Sequence, residues 1–298
     1  MTRESGQIVK STAGFYYVRT PGGVLLECRG RGRFRKQGMS PLVGDHVTCL
    51  IGEDGKGFVE TIEARRNSFI RPPVANADRL IIIASAAEPA PNLTVIDRLT
   101  AFAVDKGVEP VVLFTKCDLA DAGAYSEIYR NAGIESFCLR QDSPQGLDRV
   151  RALFDGRICV LTGNTGVGKS TLLNRIDPAL LLPTGDISAK LGRGRHTTRT
   201  VELFAVCGGW AVDTPGFSSL DAEGDRILKE RLPECFPEFA PHLGACQFVS
   251  CAHIGEKGCA VCEAVRDGGI AQSRYDSYRA MYDEVKDIRP WNDRKSGG

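Results

Sequence analysis

Gly163-Asn-Thr-Gly-Val-Gly-Lys-Ser-Thr171 follows an apolar run, Arg157-Ile-Cys-Val-Leu-Thr162, and precedes a leucine-rich one, Thr171-Leu-Leu-Asn-Arg-Ile176. The pattern reads as strand, glycine loop and helix, and Gly163-x4-Gly168-Lys169-Ser170 has the spacing of a phosphate-binding P-loop. Gly163, Gly166 and Gly168, with Asn164, Thr165 and Val167 between them, let successive N–H groups point inward at phosphate oxygens. The start of the following helix adds partial positive charge. Lys169 is expected to reach the outer phosphates, the Ser170 hydroxyl to ligate Mg²⁺, and Thr171 to complete the cradle of a nucleoside triphosphate.

The 298-residue chain is long enough for two or three domains, and 42% hydrophobic with 25% charged residues is ordinary for a globular protein. No apolar run approaches the roughly 20 residues that span a membrane, and Met-Thr-Arg-Glu-Ser-Gly6 lacks the apolar core of a signal peptide. A cytoplasmic location without membrane contact is expected. Of eleven cysteines, Cys28, Cys49, Cys117, Cys138, Cys159 and Cys207 are scattered in apolar contexts and read as small core residues. The other five crowd between Cys235 and Cys262 with His242 and His253, which points to a metal rather than disulfides.

Residues 1–71 hold 12 Lys and Arg against 7 Asp and Glu, whereas the whole chain carries only +1. A nucleic-acid footprint is therefore to be sought at the N-terminus. The runs Gln7–Lys10, Phe15–Arg19, Val24–Cys28, His46–Ile51 and Phe58–Ile62 are separated by turn residues and predict a small five-stranded barrel such as an OB-fold. Arg29-Gly-Arg-Gly-Arg-Phe-Arg-Lys36 is the candidate RNA- or DNA-contacting loop, with Phe34 expected to stack on a base.

From Asp78 the pattern becomes α/β. Arg79–Ala84 and Pro110–Phe114 read as buried strands. Thr94–Lys106 reads as a helix with Val95, Leu99 and Phe102 on one face. Further helices are expected over 122–132 and 146–154, with a strand near Ser136–Leu139. Strands alternating with helices imply a mostly parallel sheet with ligands at the strands' C-terminal ends. The second strand runs into Thr115-Lys-Cys-Asp118, which resembles the Asn/Thr-Lys-x-Asp motif of GTP-binding proteins. The Asp118 carboxylate would accept hydrogen bonds from guanine N1–H and the exocyclic amine, and Lys116 would lie along the base. ATP lacks that donor pair and would leave Asp118 unpaired, which disfavours a metabolic ATPase or kinase.

Two elements follow the P-loop. Gly192-Arg-Gly-Arg-His-Thr-Thr198 is a candidate switch, and Ala211-Val-Asp-Thr-Pro-Gly216 is a strand ending in Asp-x-x-Gly. Asp213 is expected to hold Mg²⁺ through water, and the Gly216 N–H to sense the γ-phosphate. Phe217 stands where many GTPases carry a water-orienting glutamine, so His196 becomes a candidate catalytic group beside Lys169 and Gly216. Thr115 precedes Gly163 by 48 positions, the reverse of the usual order, so the GTPase domain reads as circularly permuted.

Cys246-x4-Cys251-x-His253-x5-Cys259 supplies three thiolates and one imidazole, a complete tetrahedral set for one structural Zn²⁺. His242 and Cys262 are possible substitutes for one ligand. Gln272–Asp287 reads as a helix with Tyr275, Tyr278, Tyr282 and Val285 near helical spacing. The expected architecture is multidomain α/β: an OB-fold barrel over 1–71, a permuted P-loop GTPase over 72–222, and a helical zinc-binding domain over 223–298.

Together, Thr115–Asp118, Gly163–Thr171, Gly192–Thr198, Asp213–Phe217 and the Cys246/Cys251/His253/Cys259 spacing make this sequence resemble the RsgA (YjeQ) family, the ribosome small-subunit-dependent GTPases. Gly268-Gly-Ile-Ala271 and Arg274-Tyr-Asp-Ser-Tyr278 are similar too. The resemblance implies a GTP/GDP-, Mg²⁺- and Zn²⁺-binding monomer that hydrolyses GTP late in small-subunit maturation. It further implies binding near the decoding region, contact with 16S rRNA and stimulation by the subunit. The sequence departs from the family at Thr115 and at Arg140-Gln-Asp142, where a Ser-Ala-Lys-like element would support the base. The competing expectation is an RNA-binding GTP/GDP switch with negligible turnover.

Overall fold

The computed structural model describes residues 2–32, 34, 38–53, 55–180, 201–213 and 226–288. In chain order the first strands are β1 (Thr2–Thr12), β2 (Phe15–Arg19), β3 (Leu25–Gly30), β4 (His46–Ile51), β5 (Gly57–Ile62), β6 (Ser68–Phe69) and β7 (Val74–Ala75). There follow β8 (Arg79–Ser85), α1 (Leu93–Asp105), β9 (Glu109–Thr115), α2 (Gly123–Asn131), β10 (Glu135–Cys138), α3 (Leu147–Phe154), β11 (Ile158–Thr162) and α4 (Lys169–Ile176). The last are β12 (Val201–Glu202), β13 (Phe204–Val206), β14 (Gly209–Asp213), α5 (Ala260–Arg266) and α6 (Gln272–Val285). They fall into two compact units, one of Met1–Asp78, Asp148–Thr162 and Lys169–Phe217, the other of Arg79–Leu147, Gly163–Gly168 and Ser218–Gly298.

In the first unit β1 to β5 close into the barrel expected from their alternation. β1 pairs with both β2 and β4, and the circuit is completed by β2–β3, β3–β5 and β5–β4. All these pairings are antiparallel except β3–β5. A register shift between Ile8 and Lys10 lets one long strand serve two partners: Thr2–Gln7 lies along β4, and Gln7–Thr12 along β2. Ile8, Val18, Cys28, Val47, Cys49 and Val59 fill the interior without solvent exposure. Beneath them the buried Asp45 carboxylate takes a bidentate pair from Arg65, both contacts at 2.7 Å, and accepts from the Leu42 N–H. The same unit carries β11 parallel to β14, and β13 antiparallel to β14.

Phe34 departs from its expected role. It is only 4% exposed, so its ring is packed inside rather than offered to a base. A local turn accounts for this: the Phe34 N–H donates to Arg31 O, and Phe34 O accepts from Met39 N–H. Arg33, Arg35 and Lys36 lie outside the described residues, while the Arg29 guanidinium covers the Phe15 ring at 4.7 Å.

In the second unit β8, β9 and β10 form a parallel sheet in the order β10-β9-β8. Leu80–Ile83 and Val111–Phe114 are buried without alternation, as strands covered on both faces must be. Asn92 caps α1 by accepting from the Val95 N–H. Val95 itself is exposed, contrary to expectation. The helix is buried along a wider face that includes Ile96, Leu99, Phe102, Asp97, Thr100 and Ala101, because α6 packs on it. Ala101 joins Phe236, Phe239, Tyr275, Tyr278 and Val285 in one apolar cluster, so the tyrosines at helical spacing are core residues.

Arg274 fixes that packing. It is 1% exposed, and it bonds Asp97 at 2.9 Å, Thr100 Oγ1 at 2.9 Å and Glu238 at 2.6 Å. Asp97 also accepts from Tyr129 Oη, while its Oδ2 has no partner. Removing the cation would leave two buried carboxylates uncompensated. Arg274→Ala is therefore expected to cost about 3–5 kcal/mol, read as a lowered urea midpoint. A loss below about 1 kcal/mol would show that the network contributes little.

Candidate functional site

The glycine stretch forms as its sequence dictates. β11 ends at Thr162, Gly163–Gly168 make the loop, and α4 begins at Lys169. Gly163 has φ +150°, and a Cβ there would collide with Ile83 O, so no other residue fits. Gly166 and Gly168 also take positive φ, at +82° and +97°. The Ser170 side chain is buried at the start of α4. Asp213 closes β14 in register with Leu161, which brings its backbone beside the strand that feeds the loop. His196, the Gly192–Thr198 stretch, Gly216 and Phe217 lie outside the described residues.

The reversed motif order leaves the glycine loop and the Thr115–Asp118 motif in contact. Thr115 Oγ1 donates to Val167 O at 2.5 Å and lies 3.2 Å from Ala84 O. The hydroxyl thus holds the loop from 52 positions away, and threonine is sufficient where asparagine is more usual. Lys116 follows in a left-handed conformation (φ +58°), and its ammonium donates to Glu88 O. The Asp118 carboxylate accepts from the Gln141 backbone N–H at 2.8 Å. Arg140-Gln-Asp142 therefore supports Asp118 through its main chain, which any side chain at Gln141 permits. Arg140 and Asp142 brace that turn with a bidentate pair at 2.9 and 2.6 Å. Sequence reasoning missed the Thr115–Val167 and Gln141–Asp118 supports because in each one partner is a main-chain group with no signature in residue type.

A second site is built entirely from the C-terminal segment. Cys246, Cys251, His253 and Cys259 place their ligand atoms within 4.8 Å of one another. His253 Nδ1 lies 3.5 Å from the sulfurs of both Cys246 and Cys259, which are 3.9 Å apart. Tetrahedral zinc with ordinary bond lengths requires about 3.6 Å between nitrogen and sulfur and about 3.8 Å between sulfurs. The donor set fits a structural Zn²⁺, with no open position for catalysis. Burial pushes the Cys251 and Cys259 thiols up and His253 down, so the apolar setting disfavours charged ligands that lack a cation.

Backbone N–H groups of Ala260 and Cys262 donate to the sulfurs of Cys246 and Cys259. His253 has φ +57°, and Glu256 holds it there by accepting from the N–H groups on either side, Ala252 and Ile254, each at 2.8 Å. Tyr278 Oη donates to Ala252 O at 2.6 Å. Neither supporting role is legible in residue type, since both act on main-chain groups. Cys262 is turned to Tyr275 Oη, and neither it nor His242 joins the cluster. Cys28, Cys49 and Cys159 are buried core residues, whereas Cys117, Cys138 and Cys207 are half-buried.

Comparison with known proteins is consistent across the whole chain. A family model described as RsgA GTPase matches residues 62–223, and one described as RsgA N-terminal domain matches residues 5–59. A protein of Geobacillus thermodenitrificans named small ribosomal subunit biogenesis GTPase RsgA is 44% identical over 291 residues, 96% of this chain and 98% of its own length. The protein of that name from Streptococcus pneumoniae is 43% identical over 288 residues, 95% of each chain. Among solved structures, YloQ, described as a circularly permuted GTPase, superposes with TM-score 0.79 at 35% identity, covering 97% of each chain. YjeQ from Thermotoga maritima superposes with TM-score 0.81 at 31% identity, covering 97% of this chain and all of the other.

Proposed function

The chain belongs to the RsgA GTPase family, and from that premise we propose that it hydrolyses GTP to GDP and phosphate in late maturation of the small ribosomal subunit. The observation that carries this reading is the Thr115–Val167 bond, which joins a guanine-selective motif to a phosphate loop. Asp118 selects guanine, with Thr115, Lys116 and Cys117 shaping its loop. Gly163 to Gly168 wrap the phosphates with backbone N–H groups, and Lys169 meets the outer ones. Mg²⁺, when bound, neutralises charge developing on the phosphates. Ser170 would ligate it, and Asp213 would hold it through water. Gly216 reports the γ-phosphate, and Thr171 closes the cradle.

The zinc ligands are Cys246, Cys251, His253 and Cys259, and their role is structural. Residues 1–71, 72–222 and 223–298 act as RNA-binding, GTPase and zinc-binding domains. The basic excess of the first supports contact with 16S rRNA. The protein acts as a monomer in the cytoplasm. No helix among the described residues is long and apolar enough to cross a membrane.

With Phe217 unable to orient water, the isolated protein turns over slowly, and docking brings His196 or an rRNA group to the water. His196→Ala is expected to leave GTP binding and docking nearly intact while lowering subunit-stimulated turnover at least about tenfold. Full stimulated turnover in that variant would assign the water to another group. Docking itself is tested by sedimentation with purified small subunits. The protein should pellet with them in a non-hydrolysable GTP analogue and be released in GDP, since a ligand shifts a switch only by its differential affinity for the two states. Equal pelleting in both nucleotides would contradict a nucleotide-controlled cycle.

A further inference from the structure

Cys117 lies inside the guanine-reading motif, and Cys138 ends the neighbouring strand β10. Phe114 of β9 stands in register with Cys138. Beyond that pair the two backbones stay joined: the Leu139 N–H donates to Phe114 O at 2.7 Å, and the Cys117 N–H donates to Leu139 O at 3.1 Å. The Cys117 thiol folds back to 3.3 Å from the same Phe114 O. It is thereby two short contacts from the Cys138–Leu139 peptide. Each thiol acts on the other's ionisation, raising Cys117 and lowering Cys138. Both side chains are half-buried, so a small oxidant can reach them. The paired cysteines of the barrel, Cys28 and Cys49, are fully buried, and the thiols of Cys246, Cys251 and Cys259 belong to the cluster that fits zinc.

We propose that Cys117 and Cys138 form a reversible disulfide, driven by peroxide, that weakens guanine-nucleotide binding. The inference rests on the guanine reading of Thr115–Asp118 given above. Contact with Cys117 draws the Cys138 thiol down to about 7, which makes it the attacking group. Its thiolate attacks one peroxide oxygen, the O–O bond breaks, and the departing hydroxide is protonated to water. Cys138 is left as a sulfenic acid. The Cys117 sulfur then attacks the Cys138 sulfur, the S–O bond breaks, and the hydroxide leaves as water with the proton of Cys117. Two thiols and one hydrogen peroxide give one disulfide and two waters. A dithiol reductant reverses the step.

The disulfide has a direct route to the nucleotide. Its sulfurs must close to about 2.05 Å, which draws Cys117 toward β10. Asp118 is the next residue, and its carboxylate is positioned by one bond from Gln141. On the other side Lys116 is already in a left-handed conformation, so the turn has little freedom to absorb the shift. Coupling is reciprocal: if the disulfide weakens GDP binding, GDP resists the disulfide by the same factor.

The test uses the full-length, zinc-loaded protein, titrated with hydrogen peroxide and followed by non-reducing peptide mapping and fluorescent-GDP binding. A Cys117–Cys138 cross-linked peptide should appear, with GDP affinity falling at least about tenfold and recovering in dithiothreitol. Saturating GDP should raise the midpoint potential of the pair by about 30 mV for each tenfold of that loss. Cys138→Ser should bind GDP normally when reduced and keep its affinity in peroxide. Absence of the cross-linked peptide overturns the proposal. So does a cross-link without loss of affinity, or an equal loss in Cys138→Ser. Failure of the reduced, unmodified protein to bind GDP is a separate result that removes the guanine reading, and the switch with it, whatever the peptide map.

Discussion

Cys259→Ser is expected to yield protein without zinc and with an unfolded C-terminal segment. Structural zinc contributes about 10–16 kcal/mol of apparent binding energy in small sites, as much as the whole stability of a typical domain, about 5–15 kcal/mol. Cys259 is also buried within the apolar cluster, so the variant loses both a ligand and the packing around it. Elemental analysis should show one zinc per unmodified chain and none per variant chain. Hydrogen exchange over 230–288 should become fast, while the barrel strands keep their protection. Cys262→Ser should retain the metal, because that thiol is turned to Tyr275. A folded Cys259→Ser segment, or zinc loss in Cys262→Ser, would contradict this ligand set.

Asp118→Asn is expected to weaken GTP and GDP binding roughly ten- to hundredfold, since each bond lost to a charged acceptor is worth about 1.5–3 kcal/mol. Binding should shift toward xanthosine nucleotides, whose exchanged carbonyl suits an amide donor. The Gln141 N–H can still donate to the amide oxygen, so the loop should stay folded. Unchanged GTP affinity without a xanthosine preference would remove Asp118 from the base site.

What the residues disclosed in advance follows from which interactions are local. The barrel strands were legible because alternation and turn residues act within a few positions, and β2 and β4 begin and end where the pattern places them. The metal cluster was legible because its ligand types are rare and closely spaced. The face of α1 was not, since its burial depends on a helix nearly two hundred positions later, joined through Arg274 to Asp97. Phe34 misled because an apolar residue among arginines has two destinations, and only the local turn decides between them. The Thr115–Val167 and Gln141–Asp118 contacts were hidden for a different reason: main-chain groups carry no residue signature.

The most direct test of the central claim is GTP turnover by the purified protein, measured alone and with purified small ribosomal subunits. Turnover should be slow alone and rise at least about tenfold with small subunits, with no comparable rise from large subunits and no hydrolysis of ATP. The same slow turnover with and without small subunits would contradict the account and leave a passive GTP/GDP switch in its place.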